Sequence, residues 1–429
     1  MIIVLRTPHG INPNNNNNVW EVTSDNSGLV YYDVTLINTL NDSTLINQRH
    51  YKKPSTNHTI INLTSTLKDL CESVLMNNNE IINYSKLPAY KMVIAEYYVN
   101  NDVITKGHEY IDNVKYSFFE GYENEIEYLN YTENKYNINT TTKAKFLTGE
   151  QPIKEITTQQ KEYLKIFDTN NLAKKLKIMC YDADGDILGD VIIDILPLAG
   201  YHDVININVT PSLLLTHPNV IANTNLMFTQ QFLIVLLNNN NEEVSESRLF
   251  IIKKSKCNEE ETNLIFKNHV GGYDSVTLIN RIETQTIEKK YLNSYKDNIN
   301  NIFSNAKINY NVNSTYSYVA STNLLDDFYS KYLRLLLSSN KVYVALGSIK
   351  IETTIDNKSY RVMQRHVNGG KKNRIEIQFT TPFSISQLIN TVNIGDVPLN
   401  NNPDNNLYLA DNLGNILIDS YFNDVILKY

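Results

Sequence analysis

A chain of 429 residues is too long for one ordinary core, and 42% apolar against 20% charged residues lets it bury several. A net charge of −7 argues against a duplex-DNA binder, which needs a basic face. Three scattered cysteines (Cys71, Cys180, Cys257) exclude a disulfide frame, and the short apolar run before Arg6 and FLIVLL (Phe232 to Leu237) are too short for a signal peptide or a membrane span, so a soluble chain with reduced thiols is expected.

Along the chain, period-2 alternation dominates. Asparagine runs (NPNNNNN, MNNNE, LNNNNEE, NNNPDNN) punctuate it. Asparagine bonds its own backbone and tolerates positive φ, so these runs are expected in turns and loops. GLVYYDVTLI places Val30, Tyr32, Val34 and Leu36 on one face and Tyr31, Asp33 and Thr35 on the other, as in a half-buried strand. TSTLKDLCESVLM spaces Leu67, Leu70, Cys71 and Val74 helically behind Thr64 or Ser65 as a cap. FFEGYENEIEY reads as a strand with Glu120, Glu123, Glu125 and Glu127 on a solvated acidic face, and KKLKIMC alternates again. NLLDDFYSKYLRLLLSS repeats Leu325, Phe328, Tyr332, Leu335 and Leu336 behind an Asn323 cap. GSIKIETTIDNKSYRVMQRHVNGGKKNRIEIQFT reads as three strands joined by turns at DNK and NGGKKN.

Polar stretches divide this pattern. They predict an N-terminal β-sandwich domain over 1–150, a central one over 151–258, a C-terminal β domain with one helix over 259–383, and an extended C-terminal segment over 384–429 with a hairpin at DNLGN. The fold class expected is mainly β: tandem β-sandwiches, Ig-like or fibronectin-like, with a few short helices and no βαβ rhythm. The 29 tyrosines suit strands and surfaces that contact other proteins.

Four stretches, in order, carry a resemblance: NPNNNNNVWEVTSDNSGLVYYDVTL, FLTGEQP, YDADGDILGD and IFKNHVGGYDSVTL. They resemble recurring elements of structural proteins from tailed phages of Bacteroidota, including the crAss-like phages, over most of the chain. The resemblance implies a virion component of the neck or tail, made in the host cytoplasm. It implies a homo-oligomeric ring that contacts adjacent neck, tail or portal-complex proteins, without sequence-specific nucleic-acid contact and without a membrane. The asparagine insertions and the C-terminal extension depart from that pattern. The alternatives are a carbohydrate- or host-receptor-binding β-sandwich protein of the tail and a head decoration protein.

The candidate chemistry is thin. Gly271-Gly272 is followed by a strand pattern where a phosphate loop needs a helix, and G-x-S-x-G is absent. His269, Asp274 and Ser275 are too close in sequence to converge as a triad. The expected structure is a strand-to-strand corner at Gly271, Gly272 and Asp274, with Tyr273 packed and Asp274 bonding a turn. Asp182, Asp184 and Asp186 start like an EF-hand loop, but Ile187 and Ile193 stand where that loop needs glycine and glutamate. A hairpin turn is expected there, with Asp182, Asp184, Asp186 and Asp190 as the only candidate cation ligands. No catalytic residue, cofactor or resident metal is expected, and the chain reads as a non-enzyme.

Overall fold

The computed structural model describes residues 1–71, 75, 80–195, 203–223, 225–253, 260–293, 307–323, 325–347, 349–356, 362–367, 370–385, 409–410 and 416–418. It is mainly β with short helices, and it divides into two compact units, Met1–Pro382 and Phe383–Tyr429.

In the first unit, a three-stranded sheet of β1 (Ile2–Arg6), β3 (Val19–Ser24) and β6 (Thr59–Asn62) shares a core with a five-stranded one. The larger sheet runs in the order β2 (Ile11–Pro13), β9 (Val103–Phe119), β8 (Ala89–Asn100), β4 (Leu29–Asn38) and β5 (Thr44–Tyr51). Alternation explains the layering: Trp20 and Val22 face Tyr32, Val34 and Leu36, and all are buried. The Trp20 indole N–H donates to the Tyr90 hydroxyl at 3.4 Å, so the only tryptophan is a core residue with its polar end near a partner. Helix α1 (Thr64–Asp69) closes one end with buried Leu67. Its N-cap is Leu63, with no side-chain cap, so neither Thr64 nor Ser65 plays that part. Val74 lies outside the described residues.

Next come β10 (Ile153–Thr157), β16 (Arg248–Lys253), β15 (Gln231–Leu237), β12 (Lys175–Tyr181) and β13 (Ile187–Asp194), in that sheet order. A smaller sheet of β11 (Tyr163–Phe167), β14 (Val204–Asn208) and β7 (Ile82–Ser85) shares their core. Strand β7 comes from the first 150 residues yet pairs with β14, so the first predicted module is tied into the second by backbone hydrogen bonding. Helices α3 (Pro211–Leu215) and α4 (Pro218–Ile221) add Leu214 and Val220 to this core.

The last strands close on themselves. They are β17 (Thr262–Lys267), β18 (Tyr273–Asn293), β19 (Lys307–Thr322), β20 (Val342–Leu346), β21 (Ile349–Ile355), β22 (Val362–Val367) and β23 (Gly370–Thr381). Neighbours run β19-β18-β17-β20-β21-β23, and β23 pairs back onto β19, so six antiparallel strands form a ring. This differs from the two facing sheets of a sandwich and leaves the ring without free edges where it is closed. Strand β23 already begins at Gly370, inside the NGGKKN stretch expected as a turn, and Asn368 and Gly369 lie outside the described residues. Between β19 and β20, α5 (Asp327–Tyr332) and α6 (Arg334–Ser338) replace the single expected helix. Its cap is Asp326 and not Asn323: the Asp326 carboxylate accepts the Tyr329 N–H at 2.6 Å.

The second unit contains β24 (Leu409–Ala410) paired antiparallel with β25 (Ile416–Ile418), flanking the DNLGN stretch, which itself lies outside the described residues.

Candidate functional site

Three of the four stretches that carry the resemblance, NPNNNNN, FLTGEQP and IFKNHVGG, meet at one buried junction. Gly271 has φ +88, a conformation L side chains avoid, and a methyl there would strike the Glu120 carbonyl. A methyl on Gly272 would strike the Leu147 carbonyl. The two glycines therefore let three backbones touch, one from the end of β9, one from the FLTGEQP stretch and their own. Asn268 staples them. Its Oδ1 accepts the N–H groups of Val270 at 3.1 Å and Gly272 at 2.9 Å, and its Nδ2 donates to the Leu147 carbonyl and to Asp274 Oδ2, both at 2.9 Å. The corner expected at Gly271 and Gly272 is present, between β17 and β18.

The N-terminal asparagine run joins the same junction. As expected the run forms a turn, between β2 and β3, and within it Asn14, Asn16 and Asn18 are buried. Asn18 Nδ2 lies 3.0 to 3.2 Å from the carbonyls of Pro13, Asn14 and Asn16, and Asn16 exchanges hydrogen bonds with the Glu123 backbone at 2.7 and 2.8 Å. Asparagine amides here replace strand partners that the loop lacks. The acidic face is corrected too. Strand β9 ends at Phe119, and Glu125 and Glu127 lie on helix α2 (Glu125–Leu129), capped by Asn124. Glu123 is buried against Lys135 at 2.8 Å and the Tyr136 hydroxyl, and Glu120 pairs with Lys267. These four carboxylates do not share a solvated strand face.

Asp274 points into a cluster that sequence reading missed. Glu150, Lys154, Glu162, Asp274 and Ser275 are all buried, and one carboxylate oxygen from each of Glu150, Glu162 and Asp274 lies within 4.8 Å of the others. Lys154 Nζ donates to Glu150 Oε1 and Glu162 Oε2, both at 2.7 Å, and to the Ser275 carbonyl at 2.9 Å. The Ser275 hydroxyl donates to Glu162 Oε2 at 2.6 Å, and the Tyr332 hydroxyl donates to Asp274 Oδ2. The Tyr329 hydroxyl lies 3.3 Å from both Glu150 Oε1 and the Ser275 carbonyl. Arg248 adds a second cation, 3.9 Å from Glu150 Oε2.

The three carboxylates are the candidate ligands for a metal. Lys154 answers that possibility, because its ammonium spends its three donors on two of the carboxylates and a carbonyl, where a cation would otherwise sit. Burial, with Glu150 close by, pushes the Asp274 carboxyl well above the usual carboxylate range, which favours its neutral form. Lys154 stays charged, its carboxylate neighbours outweighing the burial that opposes its charge. Two oxygens, Glu150 Oε2 and Asp274 Oδ1, lack a hydrogen-bond partner among the described residues.

Glu162 makes stability depend on pH. Burial pushes its carboxyl up to about 7 against Lys154, which pulls the other way. A carboxyl raised in the folded state binds its proton more tightly there than in the unfolded chain. Its contribution is full below the ordinary value near 4.5 and is lost as pH rises through about 7. Thermal melts are therefore expected to show a lower midpoint at pH 8 than at pH 5, with Glu162→Gln flattening that fall.

The aspartate loop is a hairpin turn between β12 and β13. Asp182 Oδ1 accepts the N–H groups of Asp184 and Asp186, both at 2.9 Å, Gly185 has φ +89, and Asp190 faces Lys177 at 3.1 Å. The structure thus brings Gly271, Gly272 and Asp274 into the junction and leaves Asp182, Asp184 and Asp186 at an exposed turn. One signal could have exposed the cluster: in IKEIT, Lys154 alternates in phase with Ile156 and must point inward with it.

No family model matches the chain, and no curated protein does. Among solved structures, dimeric latent PorU from Porphyromonas gingivalis is similar at 9% identity and a TM-score of 0.19, over 75% of this chain and 32% of its own. The chain spans about a third of that protein's length, and so slight a likeness carries no argument about fold or activity.

Proposed function

We propose that the chain is a non-enzymatic structural subunit of a tailed-phage virion, assembled as a homo-oligomeric ring in the neck or tail and contacting adjacent neck, tail or portal-complex proteins. The observation that carries this reading is the β18–β19 ribbon. Strand β18 has 21 residues and β19 has 16, but β17 accompanies β18 only as far as Leu278. Strand β23 flanks β19 as far as Tyr316, opposite Gln285, so the two-stranded part of the ribbon runs from Thr286 to Asn293, about 26 Å at 3.3 Å per residue. Thr284 to Tyr291 are exposed on both faces, Ile282 at 65% and Tyr291 at 52%. An isolated two-stranded ribbon is marginal in water, so a neighbouring molecule is what completes it.

In this reading the sheet pairs ahead of the ribbon act as sandwich modules of the Ig-like or fibronectin-like kind. The junction holds them on the base of β18, which starts at Tyr273 beside the two glycines. The ribbon is thereby presented in a fixed direction. The convergent carboxylates serve this holding role: they are buried and spent on Lys154, away from any substrate. No membrane or sequence-specific nucleic acid takes part, and among the described residues no helix is long and apolar enough to cross a membrane. The ordered sequence elements support the virion assignment.

The test is to replace residues 285–316 by an Asn-Gly turn, which joins Thr284 to its partner Ser317. The shortened chain is expected to keep its melting midpoint within about 3 °C and to lose self-association. Association that survives the deletion would remove the ribbon from the account. Glycan or receptor binding by a chain that never self-associates would favour the tail-binding alternative.

A further inference from the structure

We propose that a cleft in the strand ring binds a neutral oligosaccharide, whose hydroxyls meet Glu352, Thr354 and Asn340. This goes beyond the assembly reading and does not rest on it.

The cleft lies at the level where β23 stops. Thr381, its last residue, is opposite Tyr316 of β19, and Thr380 is opposite Thr354 of β21. Strand β20 begins at the same level, with Val342 opposite Thr353. A cavity of about 570 Å³ is lined from these four strands and from the turn that follows α6. That volume falls within the roughly 300–1,000 Å³ of small-molecule sites, which recur in strand barrels.

The lining selects the ligand. Its apolar part is the more buried: Val342 is buried, Leu337 and Ile355 are half-buried, and Pro382 is exposed. Two of its hydroxyls are spent within the protein, Thr353 on the Thr380 carbonyl and Ser339 on the Lys341 carbonyl. Thr315, Asn340, Glu352 and Thr354 are exposed around the apolar part and remain to meet a ligand. No lysine, arginine or histidine lines the cavity among the described residues, so a phosphate or sulfate finds no counter-charge. A wholly apolar ligand would strip water from Glu352, Thr354 and Asn340 and replace none of its hydrogen bonds. A sugar answers both surfaces. Its ring C–H groups cover Val342, Leu337 and Ile355, while its hydroxyls donate to Glu352 and exchange hydrogen bonds with Thr354 and Asn340. A bond that ends on a carboxylate is the strongest of these, which makes Glu352 the orienting contact.

An array of neutral, acidic and amine-bearing oligosaccharides tests this, followed by calorimetric titration of the full chain with the best neutral binder. Neutral members are expected to bind. Glu352→Gln and Thr354→Val are each expected to weaken that binding at least tenfold, with an unchanged melting midpoint, because both side chains are exposed. Neutral binding that neither variant changes would place the sugar elsewhere and overturn the site. Binding confined to acidic or amine-bearing members would overturn the ligand class, and an array on which nothing binds would overturn the proposal outright. A chain that binds as expected yet stays monomeric would uphold this site and remove the assembly reading.

Discussion

Lys154→Met is expected to destabilise the chain by about 3–5 kcal/mol, the range for removing one partner of a buried ion pair. Methionine nearly fills the lysine's space, so the loss isolates charge from packing. Glu150 Oε1, Glu162 Oε2 and the Ser275 carbonyl would each lose a donor now at 2.7 to 2.9 Å, in a cluster closed to water. The buried Glu150 and Glu162 carboxyls would then face each other without the ammonium between them, with Arg248 3.9 Å from Glu150 Oε2 as the nearest remaining cation. Asp274→Asn is the matched contrast. Burial pushes the Asp274 carboxyl well above the usual range and so favours its neutral form, which an amide resembles; a loss under about 1 kcal/mol is expected, with Tyr332 and Asn268 still able to bond it. Urea titrations of both variants at pH 7 decide the matter. Equal losses would mean that the cluster works by shape and not by charge.

Gly272→Ala is expected to have the second large effect, a loss of about 3 kcal/mol, at the upper end for forcing a methyl into a packed site. Gly272 lacks the positive φ of Gly271, so the penalty is collision and not backbone strain. The obstacle is the Leu147 carbonyl, which cannot swing aside because Asn268 Nδ2 bonds it at 2.9 Å, and Leu147 itself is buried. Relief therefore requires the FLTGEQP stretch and the base of β18 to separate. The fraction that still folds should also associate less well, since the ribbon rises from that base. Sedimentation of the folded fraction alongside the urea curve reads both effects. A stable alanine variant with native association would show that the three backbones have room to spare.

How much of this was legible follows from how local each feature is. The strand alternation of GLVYYDVTLI and KKLKIMC is local and appears as β4 and β12, except that a register shift between Leu29 and Tyr31 puts Leu29, and not Val30, into the core with Tyr32. The glycine corner was readable because two adjacent glycines between apolar runs have few other uses. What lay out of reach was long-range. Nothing in NPNNNNN says that Asn14 and Asn16 bond the backbone of Gly121 and Glu123. Nothing in FFEGYENEIEY separates a strand from a capped helix until Asn124 is seen to accept the Glu127 N–H. The Lys154 cluster draws on residues from 150 to 332, and pairing over such distances leaves no periodic trace. The strand ring is likewise a matter of β23 returning to β19, which alternation alone does not encode.

The central claim is that this chain assembles with itself through an exposed ribbon, and the mass of the unmodified protein tests it most directly. Sedimentation equilibrium from about 1 to 100 µM covers the range in which a specific contact between copies declares itself. The account expects a closed species of defined copy number, populated increasingly with concentration. A single species of 49.3 kDa across the whole range would contradict it.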